Sequence, residues 1–291
     1  MTGDEALTFV QNALPKQLPI RGFIGTVNWV QHLIRSGKTW SFDFSTGTID
    51  TVDEYNTGTI AVTNGDATVT GTGTTFTAAM AGRKIRINRV PYTIASFTDA
   101  TNIELDATYP GSTDTGLSYS IYQDEYALAS NVKSVLRMWD ITNRKRLLAA
   151  PPQMQGERDF RSDVSGEARW YSLFGEDSSN DILVRFSPWP DEVERFEYWY
   201  YKHFTPITAI GGTIDIPSEL DFVVKQGCLA RAAGQLNLDP KGTEMASFQR
   251  LLEDAYMDDR KLTDIKIRMM RTDRGLDPLT VFPSAQTITS A

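Results

Sequence analysis

The sequence predicts an α+β chain, with helical ends and antiparallel β-domains set between them. Residues Thr59 to Tyr122 alternate apolar and polar positions in short runs broken by turn residues. Leu7, Val10 and Leu14, then Phe23, Val27, Val30 and Ile34, recur at helical spacing near the N-terminus. Met245, Phe248, Leu252, Ala255 and Leu262 mark a second such stripe in the last third.

In order, Thr2-Gly3-Asp4-Glu5 matches a capping box, in which Thr and Glu satisfy exposed N–H groups of a first turn. Pro15 and Pro19 stop the helix that follows. A second helix is expected from Gly22 to Arg35, ended by Ser36-Gly37. His32 lies in it with no partner three or four residues away, so it reads as an ordinary partly buried or surface histidine. Trp40 to Tyr55 is a connector with short β potential.

Thirteen of the twenty-one residues from Thr57 to Thr77 are Thr or Gly, a composition that disfavours helix through β-branching and glycine entropy. Thr59–Thr63 is expected to pair with Ala67–Thr70 across a tight Asn64-Gly65 turn. Further strands are expected at Lys84–Ile87, Tyr92–Ser96, Asn102–Leu105 and Tyr119–Tyr122, making a small barrel or sandwich.

Val132–Trp139, Arg146–Leu148, Trp170–Phe174, Asp181–Phe186 and Glu192–Phe204 form a second β group. A polar, helix-prone stretch from Pro151-Pro152 to Asp163 interrupts it. In the last strand, Phe196, Tyr198 and Tyr200 face one side, and Trp199, Tyr201 and His203 the other. Aromatic residues on both faces imply burial on both, either within the core or at a subunit interface. Phe196, Tyr198, Trp199, Tyr200 and Tyr201 are therefore the candidate interface residues.

Ser218 is expected to cap a helix running to Leu236. Gly227, Cys228, Ala230, Ala232, Ala233 and Gly234 keep its middle small, so another helix can approach closely. Cys228 reads as a small buried hydrophobe. A long helix from Gly242 to Met270 would span about 43 Å. Thr272–Ala291, with Pro278 and Pro283, reads as an extended arm. The expected domains are 1–55, 56–124, 125–271 and the arm 272–291.

The chain has 291 residues, 41% hydrophobic and 23% charged, within the range of a globular protein that buries a core. No run of about 18 apolar residues offers a membrane span. The acidic, amphipathic N-terminus is unlike a signal peptide. One cysteine excludes an internal disulfide framework and fits a reducing cytoplasm. A net charge of −8 argues against gripping DNA through its phosphates. The basic runs Arg144–Arg146 and Arg260–Arg274 read as solvated faces or as contacts for an acidic protein.

No phosphate loop, zinc motif or nucleophile elbow occurs. Glu176–Asp181 lacks the glycine and terminal acid of a calcium loop and reads as a turn. Neither an enzyme nor a cofactor-binding protein is expected.

The run GTIAVTNGDATVTGTGTTFTAAMAGRKIRI, with YTIASFTDATNIELDATYPG and YSIYQDEYALAS, resembles a block found in virion proteins of tailed bacteriophages. The segments IPSELDFVVKQGCLARAAGQ and FQRLLEDAYMDDRK resemble the helical core of head-to-tail adaptor (connector) proteins. This resemblance implies a helical-bundle core built from N- and C-terminal helices, with the β-domains inserted. It implies a dodecameric ring beneath the portal vertex that extends the DNA channel and offers the tail, or a nozzle protein, a platform. DNA would pass without specific binding. The arm would dock on the portal, through Arg274, Leu276, Leu279, Val281 and Phe282. The location implied is the virion, after assembly in the host bacterial cytoplasm. Two other classes stay open: a tail, baseplate or receptor-binding structural protein, and a cell-wall hydrolase.

Overall fold

Between Ser45 and Lys202, β-branched and aromatic residues recur with period two, and this stretch sets the character of the fold. In the computed structural model the described residues are 1–16, 19–153 and 165–274, with side chains described as far as Lys261. The polar stretch expected to end at Asp163 lies largely outside them, as does the side chain of Leu262.

Among the described residues strand occupies 34% and helix 29%, and the strands form three mostly antiparallel sheets. The expected helical-bundle core is thereby corrected. Four α-helices are present among the described residues, and the fold is dominated by sheets with hydrophobic cores of their own. The physical reason is one of extent. Helix-forming sequence is confined to the two ends, and the longer middle stretch is poor in it.

The chain divides into two units. The first comprises Met1–Phe44 and His203–Ala291, the second Ser45–Lys202. In the first, α1 (Gly3–Ala13) opens with the expected capping box, Thr2 and Glu5 bonding each other's backbone N–H. Pro19 precedes α2 (Ile20–Arg35), which buries Phe23, Val27, Val30 and Ile34. A 3-10 turn at Ser218–Leu220 leads into α3 (Asp221–Gln235), so Ser218 is not the N-cap expected of it. α4 (Thr243–Arg274) enters the segment read as an arm. Asp239 caps it by accepting from the N–H groups of Thr243 and Glu244.

Gly227 of α3 shows why the small residues are there. A Cβ at that position would lie 2.8 Å from the Phe248 ring of α4 and 2.8 Å from a methyl of Val30. Arg35, 4% exposed, closes the α2 end of this unit. Its Nε donates to both oxygens of Asp43 at 2.9 and 3.0 Å, and an Nη2 bond reaches the Asp215 carbonyl. A buried charge of this kind is tolerated because it is paired.

The second unit contains β1 (Phe44–Asp50) and a curled seven-stranded sheet. Its strands are β2 (Thr59–Val62), β3 (Thr68–Thr72), β4 (Lys84–Ile87), β5 (Val90–Asp99), β6 (Asn102–Leu105), β7 (Asp114–Leu117) and β8 (Tyr119–Tyr122). The order is β7-β2-β3-β6-β5-β4-β8. Its outermost strands are consecutive in the chain, so the sheet curls towards closure around Ile60, Val69, Ile85, Ile94 and Ile103. Tyr55 and Ile121 exchange two backbone hydrogen bonds of 2.8 Å where the chain enters and leaves this block.

The first hairpin departs from the expected tight turn. Pairing stops at Val62↔Val69, and Gly65, but not Asn64, takes positive φ. The Asn64 amide instead donates to the carbonyls of Pro110 and Gly111. A second loop thus claims the turn and widens it.

The remaining strands are β9 (Glu125–Ala127), β10 (Val132–Asp140), β11 (Lys145–Arg146), β12 (Leu148–Ala149), β13 (Trp170–Glu176), β14 (Ile182–Ser187) and β15 (Arg195–Lys202). They build two sheets, β1-β15-β10-β11 and β12-β13-β14-β9. The single strand expected at Arg146–Leu148 is split between them, with Leu147 buried at the changeover. Both sheets contribute to one core, in which Phe186 and Phe196 stack at 4.3 Å. Gly47 of β1 admits the Tyr198 ring, whose atoms would lie 2.3–2.8 Å from a Cβ there.

Candidate functional site

Strand alternation divides the aromatic run of β15 into two populations. Phe196, Tyr198 and Tyr200 are buried in the core of the second unit, between 0 and 4% exposed. Trp199 and Tyr201 lie on the opposite face and are half-buried. Of the five residues expected at an interface, these two keep part of their surface exposed, and the other three are already enclosed.

Strand β10 completes this outer face. Its register sets Arg137 opposite Trp199, Trp139 opposite Glu197 and Ser134 opposite Tyr201. The Trp139 and Trp199 rings lie 6.2 Å apart, tilted by 53°. Trp199 Nε1 donates to Glu197 Oε1 at 2.7 Å, which fixes the indole. The Trp139 indole N–H is buried with no acceptor among the described residues. Leu136, 43% exposed, adds apolar surface, and Lys133 stands exposed on the same strand. At the other end of β15, Arg195 grips Asp50 of β1 through two bonds of 2.6 and 2.8 Å. Tryptophan, tyrosine and arginine are the residues that dominate binding energy at protein contacts. Lys133, Arg137 and Trp139 were not singled out in the sequence. Their alternation along Val132–Asp140 was legible, but the pairing that sets them beside Trp199 was not.

A polar cluster lies beneath one edge of the same sheet. Asp140 is 1% and Glu194 7% exposed. The Asn143 amide donates to both carboxylates at 2.8 Å. Glu194 Oε2 has no partner among the described residues. Burial, then the charge of Asp140, pushes Glu194 up to about 7.

The Cys228 thiol is buried and pushed up to about 12 by desolvation, which leaves it unsuited to act as a thiolate nucleophile at neutral pH. Glu176–Asp181 is a turn, with Asp177 Oδ1 accepting from the N–H groups of Ser179 and Asp181. Among the described residues no three or more His, Cys, Asp or Glu side chains converge as a metal site requires. No helix among them is long and apolar enough to cross a membrane. Leu276, Leu279, Val281 and Phe282 of the expected docking arm lie outside the described residues, as does the side chain of Arg274.

No curated protein matches the chain. A family model described as the SU10 adaptor protein matches residues 48–276. That span takes in the curled sheet, both sheets of the second β group and the two distal helices. It bears out the resemblance to phage head-to-tail adaptors. With well over half of its length matched, the chain belongs to the SU10 adaptor protein family and is a structural adaptor protein of a phage.

Proposed function

We propose that the chain is the adaptor that joins a phage head to its tail. In this reading twelve copies form a ring below the portal, continue the DNA channel and offer the tail or nozzle its platform. The observation that carries it is the family match over residues 48–276. The half-buried aromatic face of β10 and β15 supports it by supplying surface suited to a neighbouring protein. A net charge of −8 supports a channel wall past which DNA slides without being gripped, since like charges repel. The role is mechanical, not catalytic. Residues 272–291 dock on the portal, with Arg274, Leu276, Leu279, Val281 and Phe282 as the contacts. The β block at 56–124 faces a tail component or a neighbouring copy.

The test is to mix the purified chain with assembled portal and image the product by electron microscopy. A ring of adaptor density on the portal is expected. A chain that ignores the portal and forms a stable trimer would sink the reading. Removing residues 272–291 is expected to abolish docking and leave the unfolding midpoint of the second unit unchanged. Undiminished docking would remove the arm from the proposal.

A further inference from the structure

One edge of the β1-β15-β10-β11 sheet is long and unguarded. β1 is its outermost strand, so no strand lies beyond it among the described residues. Alternate backbone N–H and C=O groups of an edge strand face outwards, ready to pair. The β1 sequence, FSTGTID, holds no lysine and no proline, the residues that blunt such an edge. The other edge strands of the second β group are shorter, with two residues in β11 and in β12 and three in β9. β11 is Lys145-Arg146, a charged pair that discourages pairing. Along β1, Thr46 and Thr48 are exposed on one face. Gly47 and Ile49 turn to the core side, where Ile49 is buried and Gly47 receives the Tyr198 ring.

We infer that the segment Gln286–Ser290 of a second copy adds to this edge as one more strand of the sheet. The inference rests on the ring reading above and names the contact that joins its copies. Period two selects the occupant. Thr287-Ile288-Thr289 matches the pattern of Thr46-Gly47-Thr48. Threonine then meets threonine on the exposed face, a favourable cross-strand pair, and Ile288 extends the apolar layer beside Gly47 and Ile49. Gln286–Ser290 carries no charge and no proline, so every residue brings a backbone N–H to the ladder. Leu279–Phe282 is bracketed by Pro278 and Pro283, which bring none. α4 ends at Arg274. The thirteen residues from there to Thr287 reach up to about 43 Å, further than the roughly 30 Å width of a small domain. Leu276 to Phe282 lie within that tether, so portal docking and strand addition are compatible. Strand addition joins two different surfaces. Each copy gives one segment and receives one, and the contacts continue until a ring closes. β1 against β1 would be isologous and would stop at two copies.

Site-directed cross-linking tests the inference. Cys228 is buried, so introduced cysteines are the reactive ones. Thr48→Cys and Ile288→Cys chains are mixed, free and on the portal, and treated with a short bismaleimide. The two variants are expected to link to each other. Ser247→Cys, exposed on α4, replaces Thr48→Cys as the collision control and is expected to give only background. Ile288→Pro removes an N–H from the middle of the added strand. A chain carrying it is expected to self-associate at least about tenfold more weakly, read by sedimentation velocity. Circular dichroism checks that every variant folds; if Thr48→Cys does not, Thr46→Cys takes its place. Copies that ring the portal but link no better than the control overturn the inference and leave the adaptor reading standing. So does an Ile288→Pro chain that self-associates undiminished, or Thr48→Cys linking chiefly to itself. A link that forms in solution while the chain ignores the portal keeps this contact and loses the adaptor reading.

Discussion

Glu194 carries an unusual burden for a side chain of a structural adaptor protein. Its carboxyl is buried near that of Asp140, shares one amide with it, and has an oxygen without a hydrogen-bond partner among the described residues. The group titrates at about 7 in the fold, against an ordinary value of 4.5. The folded form therefore holds a proton that the unfolded chain releases at lower pH. Its contribution to stability is fully present below about pH 4.5 and is lost as pH rises through about 7. The difference is on the order of 3 kcal/mol. Glu194→Gln is expected to flatten this dependence, so that thermal midpoints measured from pH 5 to pH 8 fall less than those of the unaltered chain. A parallel decline in both would show that Glu194 is not the titrating group. None of this was legible in the sequence, because Asp140 and Glu194 come together only through strand pairing. The inertness of Cys228 was legible, because a small residue in a run of small residues announces close packing.

At the scale of elements, period and punctuation set most boundaries. Lys84–Ile87, Asn102–Leu105 and Tyr119–Tyr122 begin and end where alternation and turn residues predict. Two departures share a cause. The Asn64 turn widened and the Arg146–Leu148 strand divided because partners distant in sequence decided them. The Ser218 cap became a 3-10 turn closed locally, by the Leu220 N–H on the Pro217 carbonyl. The helix contact at Gly227 was foreseen in kind, from the small residues alone. Gly227→Val is expected to force the Phe248 ring and Val30 apart and to cost about 1–3 kcal/mol, measured by urea unfolding. No loss of stability would mean that the helices can move apart freely at this point.

At the scale of the whole molecule, the sequence showed the order of helical and β segments but misjudged their weight. Helical ends drew attention to a bundle, whereas the sheets between them supply two of the three hydrophobic cores formed by the described residues. The fragment Ser45–Lys202 contains both and is expected to fold alone, with dispersed amide resonances and one cooperative unfolding transition. A fragment that stays unfolded would show that the second unit depends on the first. The β character was plain because alternation is local. The dominance of sheet depends on how strands share cores, and composition does not record that.

The paired bonds between Tyr55 and Ile121 have a consequence for how the curled sheet joins the rest of the unit. They bring the outgoing and returning backbone side by side, within one strand spacing. A cut made there removes the whole curled sheet and leaves two ends that a short turn rejoins. The block is thus a cassette. Excising the block at these two points is expected to leave the pairing of the second β group intact. The stack of Tyr122 on Trp189 at 4.7 Å marks the seam that an incoming module has to match.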